Sequence, residues 1–211
     1  MQEIFIDDDF KGYSIDQIAI PDHYQKYLSK ILIPKGLIID RIEKLARIIH
    51  DDYENKKLHI LCVLKGGDKV FGDLNKKLDS LNISKKSVPI TYDFIRASSY
   101  KNAQSSGSVN LIGKFDELKD KEVLIVEDII DTGTTLKKIK QEILKLQPRS
   151  LKILALLVKR IPEGNVLTAD YVGFSIPNEF VVGYCLDYNE HFRDLPHICI
   201  LNDNGKEDFK K

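Results

Sequence analysis

The chain lacks a net charge: Lys and Arg number 32, and so do Asp and Glu. No global field therefore draws it to nucleic acid or to an anionic membrane. It also lacks a run of eighteen apolar residues and a signal-peptide h-region, and Asp7, Asp8 and Asp9 fall within its first ten residues. A soluble, unexported, cytoplasmic protein is expected. Cysteine is sparse. Cys62, Cys185 and Cys199 are odd in number and far apart, no Cys-x-x-Cys pair suggests zinc or redox chemistry, and their apolar neighbours indicate buried, reduced thiols. Internal repeats, low-complexity tracts and long Gly/Ser/Pro linkers are absent as well. Three familiar fingerprints are missing too. Gly67-Asp-Lys-Val-Phe-Gly72 has P-loop spacing, but Asp73 and Leu74 stand where Lys and Ser or Thr are required, and neither Gly-x-Gly-x-x-Gly nor His-Glu-x-x-His occurs. At 211 residues the chain is long enough for a substantial core and too short for two large independent domains.

One stretch that is present carries most of the information: Val123-Leu-Ile-Val-Glu-Asp-Ile-Ile-Asp-Thr-Gly-Thr-Thr135. Val123 to Val126 are consecutive apolar residues, mostly β-branched, as in a strand buried on both faces of a parallel sheet. Glu127 and Asp128 fall at its carboxyl end, where open α/β sheets bind ligands and where carboxylates can accept hydrogen bonds from vicinal ribose hydroxyls. Asp131-Thr-Gly-Thr-Thr135 then offers successive backbone N–H groups and three hydroxyls, with Gly133 free to take positive φ. Leu136, Ile139, Ile143 and Leu144 continue at helical spacing, and the helix N-terminus would add partial positive charge where an anion binds. The pattern reads as a phosphosugar site. An ordinary strand, polar turn and capped helix is the plainer alternative, disfavoured by the two acids that precede the turn.

The rest of the chain repeats strand, turn and helix. Residues 12 to 35 are short apolar pieces broken by Pro21 and Pro34, an irregular flank outside the main sheet. Asp40 and Glu43 have capping-box spacing, and Ile42, Leu45, Ala46, Ile48 and Ile49 give a helical stripe over 40 to 53. His59 to Leu64 reads as a strand broken by Lys65-Gly66-Gly67, after which Val70, Phe71, Leu74 and Leu78 resume helical spacing. Further strands are expected over 88 to 96, Leu151 to Val158, Tyr171 to Ile176 and Val181 to Tyr184. Ser98 to Gly113, rich in Ser, Asn and Gly, reads as a lid or a disordered loop, and Asn202 to Lys211 as a loosely held tail. These units make an α/β fold with a mainly parallel sheet.

Three further groups have site chemistry. Leu64-Lys65-Gly66-Gly67 joins a strand end to a cation and two residues without Cβ, so that backbone can approach an anion, although a plain βα turn fits it equally well. Lys159 follows a buried strand and would lie at the sheet's carboxyl edge, with a solvated strand-end lysine as the plainer alternative. Phe180, Val181 and Asp187 supply an aromatic face, backbone groups and a carboxylate for a base pocket.

Val123 to Thr135 resembles the phosphoribosyl pyrophosphate (PRPP) motif of the type I phosphoribosyltransferases. Phe180-Val-Val-Gly-Tyr-Cys-Leu-Asp-Tyr-Asn-Glu-His-Phe-Arg-Asp194 is similar to the C-terminal signature of their hypoxanthine-guanine group. Asp22-His-Tyr, Ile33-Pro-Lys-Gly-Leu-Ile, Leu61 to Gly67, Asp93-Phe-Ile-Arg96 and Leu157-Val-Lys-Arg160 match in order, so the likeness runs from about residue 10 to 201. It implies one phosphoribosyltransferase domain over residues 1–211, with a core at about 37–175 and a small hood lobe from about 10–36 and 176–211. It implies transfer of the phosphoribosyl group of PRPP to hypoxanthine or guanine with Mg2+, giving IMP or GMP and pyrophosphate, with xanthine undecided. A homodimer or homotetramer with no nucleic-acid or membrane partner is implied as well.

By the same resemblance Asp131 handles the proton at the purine N7, and Glu127 and Asp128 orient the ribose. Thr132, Gly133, Thr134 and Thr135 hold the phosphate, while Lys65, Gly66 and Arg193 bind pyrophosphate. Lys159 donates to the purine 6-oxo group, Phe180 stacks on the base and the Val181 backbone meets its edge. Asp187 holds magnesium, with Glu127 and Asp128 as a second candidate metal site, and Ser99-Tyr100 belongs to the lid. A cis Leu64–Lys65 peptide is implied too. Thr134 stands where the longer animal-type members have Lys, Ala103 replaces a lid acid and Glu163 replaces an Arg, departures expected to alter KM before activity. A nucleotide-sensing RNA regulator on this fold is disfavoured by the balanced charge, and a catalytically silent paralogue by the retention of Asp131.

Overall fold

The computed structural model describes residues 2–98, 110–113 and 117–211; Ser99, Tyr100 and Ala103 lie outside the described residues. In chain order the elements are β1 (Ile4–Phe5), β2 (Leu28–Ile33), α1 (Lys35–Asp52), β3 (Leu58–Leu64), α2 (Asp68–Ser84), β4 (Ile90–Ser98), β5 (Asn110–Ile112), β6 (Glu122–Ile130), α3 (Thr134–Lys145), β7 (Ser150–Lys159), β8 (Tyr171–Ile176), β9 (Val181–Val182), β10 (Ile198–Leu201) and α4 (Asp203–Asp208). A 3-10 helix spans Asp22–Tyr27.

The unbroken apolar runs of β3, β6 and β7 require cover on both faces, and the register shows how they receive it. Leu61, Ile125 and Ile153 align across the three strands and pack towards α3 with Ile139 and Ile143. The alternate residues Ile60, Leu124 and Leu154 point the other way, into a core with Ile42, Leu45 and Ile49 of α1 and Val70 and Leu74 of α2. The sheet order is β1-β8-β7-β6-β3-β4-β5, with parallel pairs throughout except β4 with β5. The carboxyl ends of β3, β6 and β7 therefore lie side by side.

A second, antiparallel sheet of order β2-β10-β9 joins residues from both ends of the chain. Ile31, Val182, Cys199 and Phe192 form its core together with Tyr24 of the 3-10 helix. Burial pushes all three cysteine thiols above their ordinary range, Cys199 to about 12, as expected of inert reduced groups. No described helix is long and apolar enough to cross a membrane.

Several sequence expectations need correction. α1 begins at Lys35, so Asp40 lies inside the helix and caps nothing; Pro34 takes the N-cap position with extended backbone. Glu43 instead pairs with Arg47 at 2.7 Å and Lys77 at 2.8 Å. The expected irregular flank contains a regular strand, β2. Part of the expected loop pairs with β4 as β5. Leu144 is half exposed and does not share the buried stripe of α3. β9 stops at Val182 because Gly183, Tyr184 and Cys185 leave the extended region in succession, with φ 94°, 52° and 78°.

The C-terminal segment is also better held than its polarity suggests. Asn202 accepts a hydrogen bond from Gly205 N (2.9 Å) as the α4 N-cap. Beyond it, Phe209 packs edge-on to Tyr27 (4.8 Å) and Phe192 (4.8 Å). Phe209→Ala is expected to lower stability by about 1–3 kcal/mol, less than a fully enclosed Phe because the ring keeps some contact with solvent. Urea unfolding of the two proteins checks this.

Candidate active site

β6 brings Glu127 and Asp128 to the carboxyl end of the sheet, although the strand runs on through both acids to Ile130. Both residues are partly buried. Glu127 Oε1 accepts from Asp128 N (3.2 Å), and Asp128 Oδ1 accepts from Ile129 N (2.7 Å). Burial, and then the Asp128 charge beside it, raises the Glu127 carboxyl well above its ordinary value. Burial also raises Asp128, although hydrogen bonding with Glu127, then with the backbone, and the Arg193 charge oppose the rise.

Lys65-Gly66-Gly67 turns the end of β3 against those acids, with the Leu64–Lys65 peptide in the cis form that the resemblance implied. Gly66 is obligatory for steric reasons. A Cβ there would sit 1.7 Å from Asp128 Oδ2.

The next turn lies outside the sheet edge. Gly133 takes φ 81° as the N-cap of α3, a conformation that side chains with Cβ rarely adopt. Thr132 Oγ1 accepts from Thr134 N (3.3 Å), and the Thr132 hydroxyl also donates to Thr134 Oγ1 (3.1 Å). Thr132, Thr134 and Thr135 are exposed. The loop before β8 braces the turn: Val166 N donates to Thr132 O (3.0 Å), and Asn165 Nδ2 donates to Asp131 O.

At the end of β7, Lys159 is 92% buried and donates to Asp131 Oδ2 at 3.0 Å. Asp131 keeps 55% of its side chain exposed, so the pair presents a buried donor beside a solvent-facing carboxylate. Phe180 stands exposed, its ring edge-on to Tyr188 at 5.4 Å, and Val181 follows it in β9.

The segment after β9 folds back towards Lys65. Arg193 Nη2 lies 2.9 Å from Asp187 Oδ1 and 3.3 Å from Glu190 Oε1, and Lys65 Nζ is 2.6 Å from Glu190 Oε2. Hydrogen bonds from Lys65 and Arg193 hold the Glu190 carboxyl down, at about 2. Cys185 Sγ donates to Lys65 O (3.2 Å), and Lys69 Nζ donates to Arg193 O (3.1 Å), tying the two loops together.

Lys65, Gly66, Glu127, Asp128 and Lys159 thus lie at the carboxyl ends of β3, β6 and β7, Asp131 to Thr135 in the turn that follows β6, and Asp187 and Arg193 in the segment that reaches Lys65 through Glu190. Glu190, Lys69 and Asn165 were not anticipated. Glu190 lies inside the quoted C-terminal string, but its reach to Lys65 depends on a left-handed backbone that spacing does not reveal. Among the described residues no three His, Cys, Asp or Glu side chains form a metal cluster.

A sheet that presents an acid pair, a Thr-Gly-Thr turn and a basic loop on one edge defines a class, and the comparisons agree. Residues 31–189 match the phosphoribosyl transferase domain, and the chain belongs to this family. Among curated relatives, the hypoxanthine-guanine phosphoribosyltransferase of Rattus norvegicus is 48% identical over 98% of this chain and 96% of its own. That of Homo sapiens is 47% identical over the same shares. Hypoxanthine-guanine phosphoribosyltransferase from Schistosoma mansoni, solved in complex with IMP, superposes with a TM-score of 0.85 at 38% identity, covering 99% of this chain and 100% of that one.

Two predictions come from this geometry. Gly66→Ala is expected to leave the circular-dichroism spectrum intact while lowering kcat/KM by about 10²-fold, the scale of a misplaced reacting group. The second concerns pH. Because folding raises the Glu127 pKa, this group favours the folded state below its ordinary value of 4.5 and loses that contribution as pH rises through the folded value. Glu127→Gln has no charge to bury. Thermal melts should show it more stable than the parent at about pH 7, with the gap closing near pH 4.

Proposed function

We propose that the protein is a purine-salvage enzyme that transfers the 5-phosphoribosyl group of PRPP to hypoxanthine or guanine, giving IMP or GMP and pyrophosphate. The observation that carries this reading is the Lys159–Asp131 pair, a buried donor and a carboxylate acceptor 3.0 Å apart. On a 6-oxopurine, O6 and N7 lie side by side on one edge. Lys159 donates to O6 while Asp131 accepts a proton at N7, so a single base engages both partners of the pair. Adenine would turn its 6-amino donor towards Lys159, a mismatch worth a few kcal/mol.

In the reaction the C1–O bond to pyrophosphate breaks and a purine nitrogen bonds to C1 from the opposite face. Positive charge builds up on the sugar, and negative charge on the leaving group. Glu127 and Asp128 orient the ribose hydroxyls beside the developing cation, and Lys65 and Arg193 stabilise the departing pyrophosphate. Backbone N–H groups and hydroxyls of Thr132, Gly133, Thr134 and Thr135 hold the 5-phosphate at the α3 N-terminus. Phe180 stacks on the base, and the Val181 backbone reads its edge.

Asp187 is a part-buried carboxylate that meets Arg193 at 2.9 Å, and a magnesium ion that takes most of its ligands from substrate oxygens and water needs only one such protein ligand. Asp187 would hold that ion, which supplies positive charge to the pyrophosphate oxygens. Glu127 and Asp128, at the ribose side of the same edge, are the second candidate site for a metal ion. We further assign the three-stranded sheet as a hood over the catalytic core. We place the protein in the cytoplasm as a homodimer or homotetramer, with the exposed aromatic face of Tyr92 and Phe94 available for subunit contact.

An ultraviolet assay with PRPP and magnesium, offering hypoxanthine, guanine, xanthine and adenine separately, tests the reading. Turnover of the first two, lost on chelation, is expected, with adenine slower by about 10²-fold or more. Absence of turnover with all four, from a folded sample that binds GMP, would refute it. Asp131→Asn should lower kcat at least about tenfold with little change in melting temperature, since a positioned acid-base group contributes about 10²- to 10⁴-fold.

A further inference from the structure

We infer that Glu190 is an internal competitor for pyrophosphate: its carboxylate occupies Lys65 and Arg193, and the pyrophosphate group of PRPP must displace it to bind. This rests on the assignment of those two cations to the pyrophosphate subsite. Lys65 and Arg193 share Glu190 at 2.6 and 3.3 Å, and Arg193 also meets Asp187 at 2.9 Å. Two cations and two carboxylates leave no net charge to attract a polyanion. Asp187 has a role on a metal-bound substrate, whereas Glu190 is the surplus anion.

The loop is built to present it. Asn189, Glu190 and Phe192 all take positive φ, at 50°, 73° and 70°. Non-glycine residues persist in such backbone only where their surroundings impose it. Here Asn189 Nδ2 donates to Phe209 O (2.7 Å), Tyr188 OH donates to Lys206 O (3.1 Å) and Phe192 N donates to Tyr24 OH (3.2 Å). None of these ties uses the Glu190 carboxylate, so the loop does not need that group to keep its shape. The side chain is 53% exposed, and ion pairs at such positions add little to stability. The guanidinium is also incompletely satisfied: among the described residues Arg193 Nε is buried without an acceptor. A ligand with more oxygens than a carboxylate would serve these cations better.

The test is calorimetric titration of magnesium pyrophosphate into the parent protein and Glu190→Gln, with GMP as a second ligand that does not draw on Lys65 or Arg193. The glutamine variant should bind pyrophosphate about two- to tenfold more tightly, the range set by releasing two partly exposed ion pairs. Its advantage should shrink as salt rises, while GMP affinity and melting temperature stay within error of the parent. Equal or weaker pyrophosphate binding by a variant that melts and binds GMP like the parent would overturn the inference and leave the proposed function standing. Failure of the parent itself to bind magnesium pyrophosphate would remove the subsite assignment, and the inference with it. A merely structural Glu190 predicts a lower melting temperature and no gain in affinity.

Discussion

Two adjacent carboxylates at the end of a strand buried on both faces form the constraint on which the rest of the site depends. Glu127 and Asp128 cannot both ionise cheaply in that setting, since burial and mutual repulsion raise the Glu127 carboxyl well above its ordinary value, and the backbone N–H groups of Asp128 and Ile129 donate to the pair. Gly66 is the residue that makes the packing possible, since Asp128 fills the space a Cβ would need. The loop that carries Lys65 is thereby fixed to the acid pair. A cation and a carboxylate pair at the ends of neighbouring parallel strands are then brought together, with the Thr-Gly-Thr turn one step further along the chain.

The covering segment depends on a second set of contacts. Phe209 packs against Tyr27 and Phe192, and Asn189 and Tyr188 bond to the backbone of the terminal segment. Both chain ends thus converge behind the loop from Asp187 to Arg193. Tyr24 hydrogen-bonds Asp194 (2.9 Å), adding a tie from the N-terminal flank. These contacts tie the segment from Asp187 to Asp194 to residues from both halves of the chain.

Much of the sheet was legible because burial on both faces imposes continuous apolar runs, as in Val123 to Val126. The acid pair and the Thr-Gly-Thr turn were legible because polar residues interrupt the apolar run near its end, although β6 itself continues through the acids to Ile130. Other elements were hidden by physics that spacing does not encode. The start of α1 was missed because Pro34 reads as a breaker, whereas proline suits a helix entrance. The C-terminal tail looked loose because its residues are polar, yet a capped turn and one inserted ring hold it. Glu190 was invisible as a partner of Lys65 because 125 residues of chain and a left-handed backbone separate pattern from contact. The Lys159–Asp131 pair had both members named from the sequence, but only the geometry joins them.

The central claim is that substrate chemistry takes place at the carboxyl edge of β3, β6 and β7. A crystal structure with IMP, pyrophosphate and magnesium tests it most directly. The account predicts the 5-phosphate within hydrogen-bond distance of the Thr132 to Thr135 backbone, O6 at Lys159 and N7 at Asp131. A cleft of about 550 Å³ lined by Lys56, Lys121 and Arg149 lies at the opposite, amino end of the strands. Nucleotide phosphate bound there instead, with the Lys159–Asp131 pair untouched, would contradict the account.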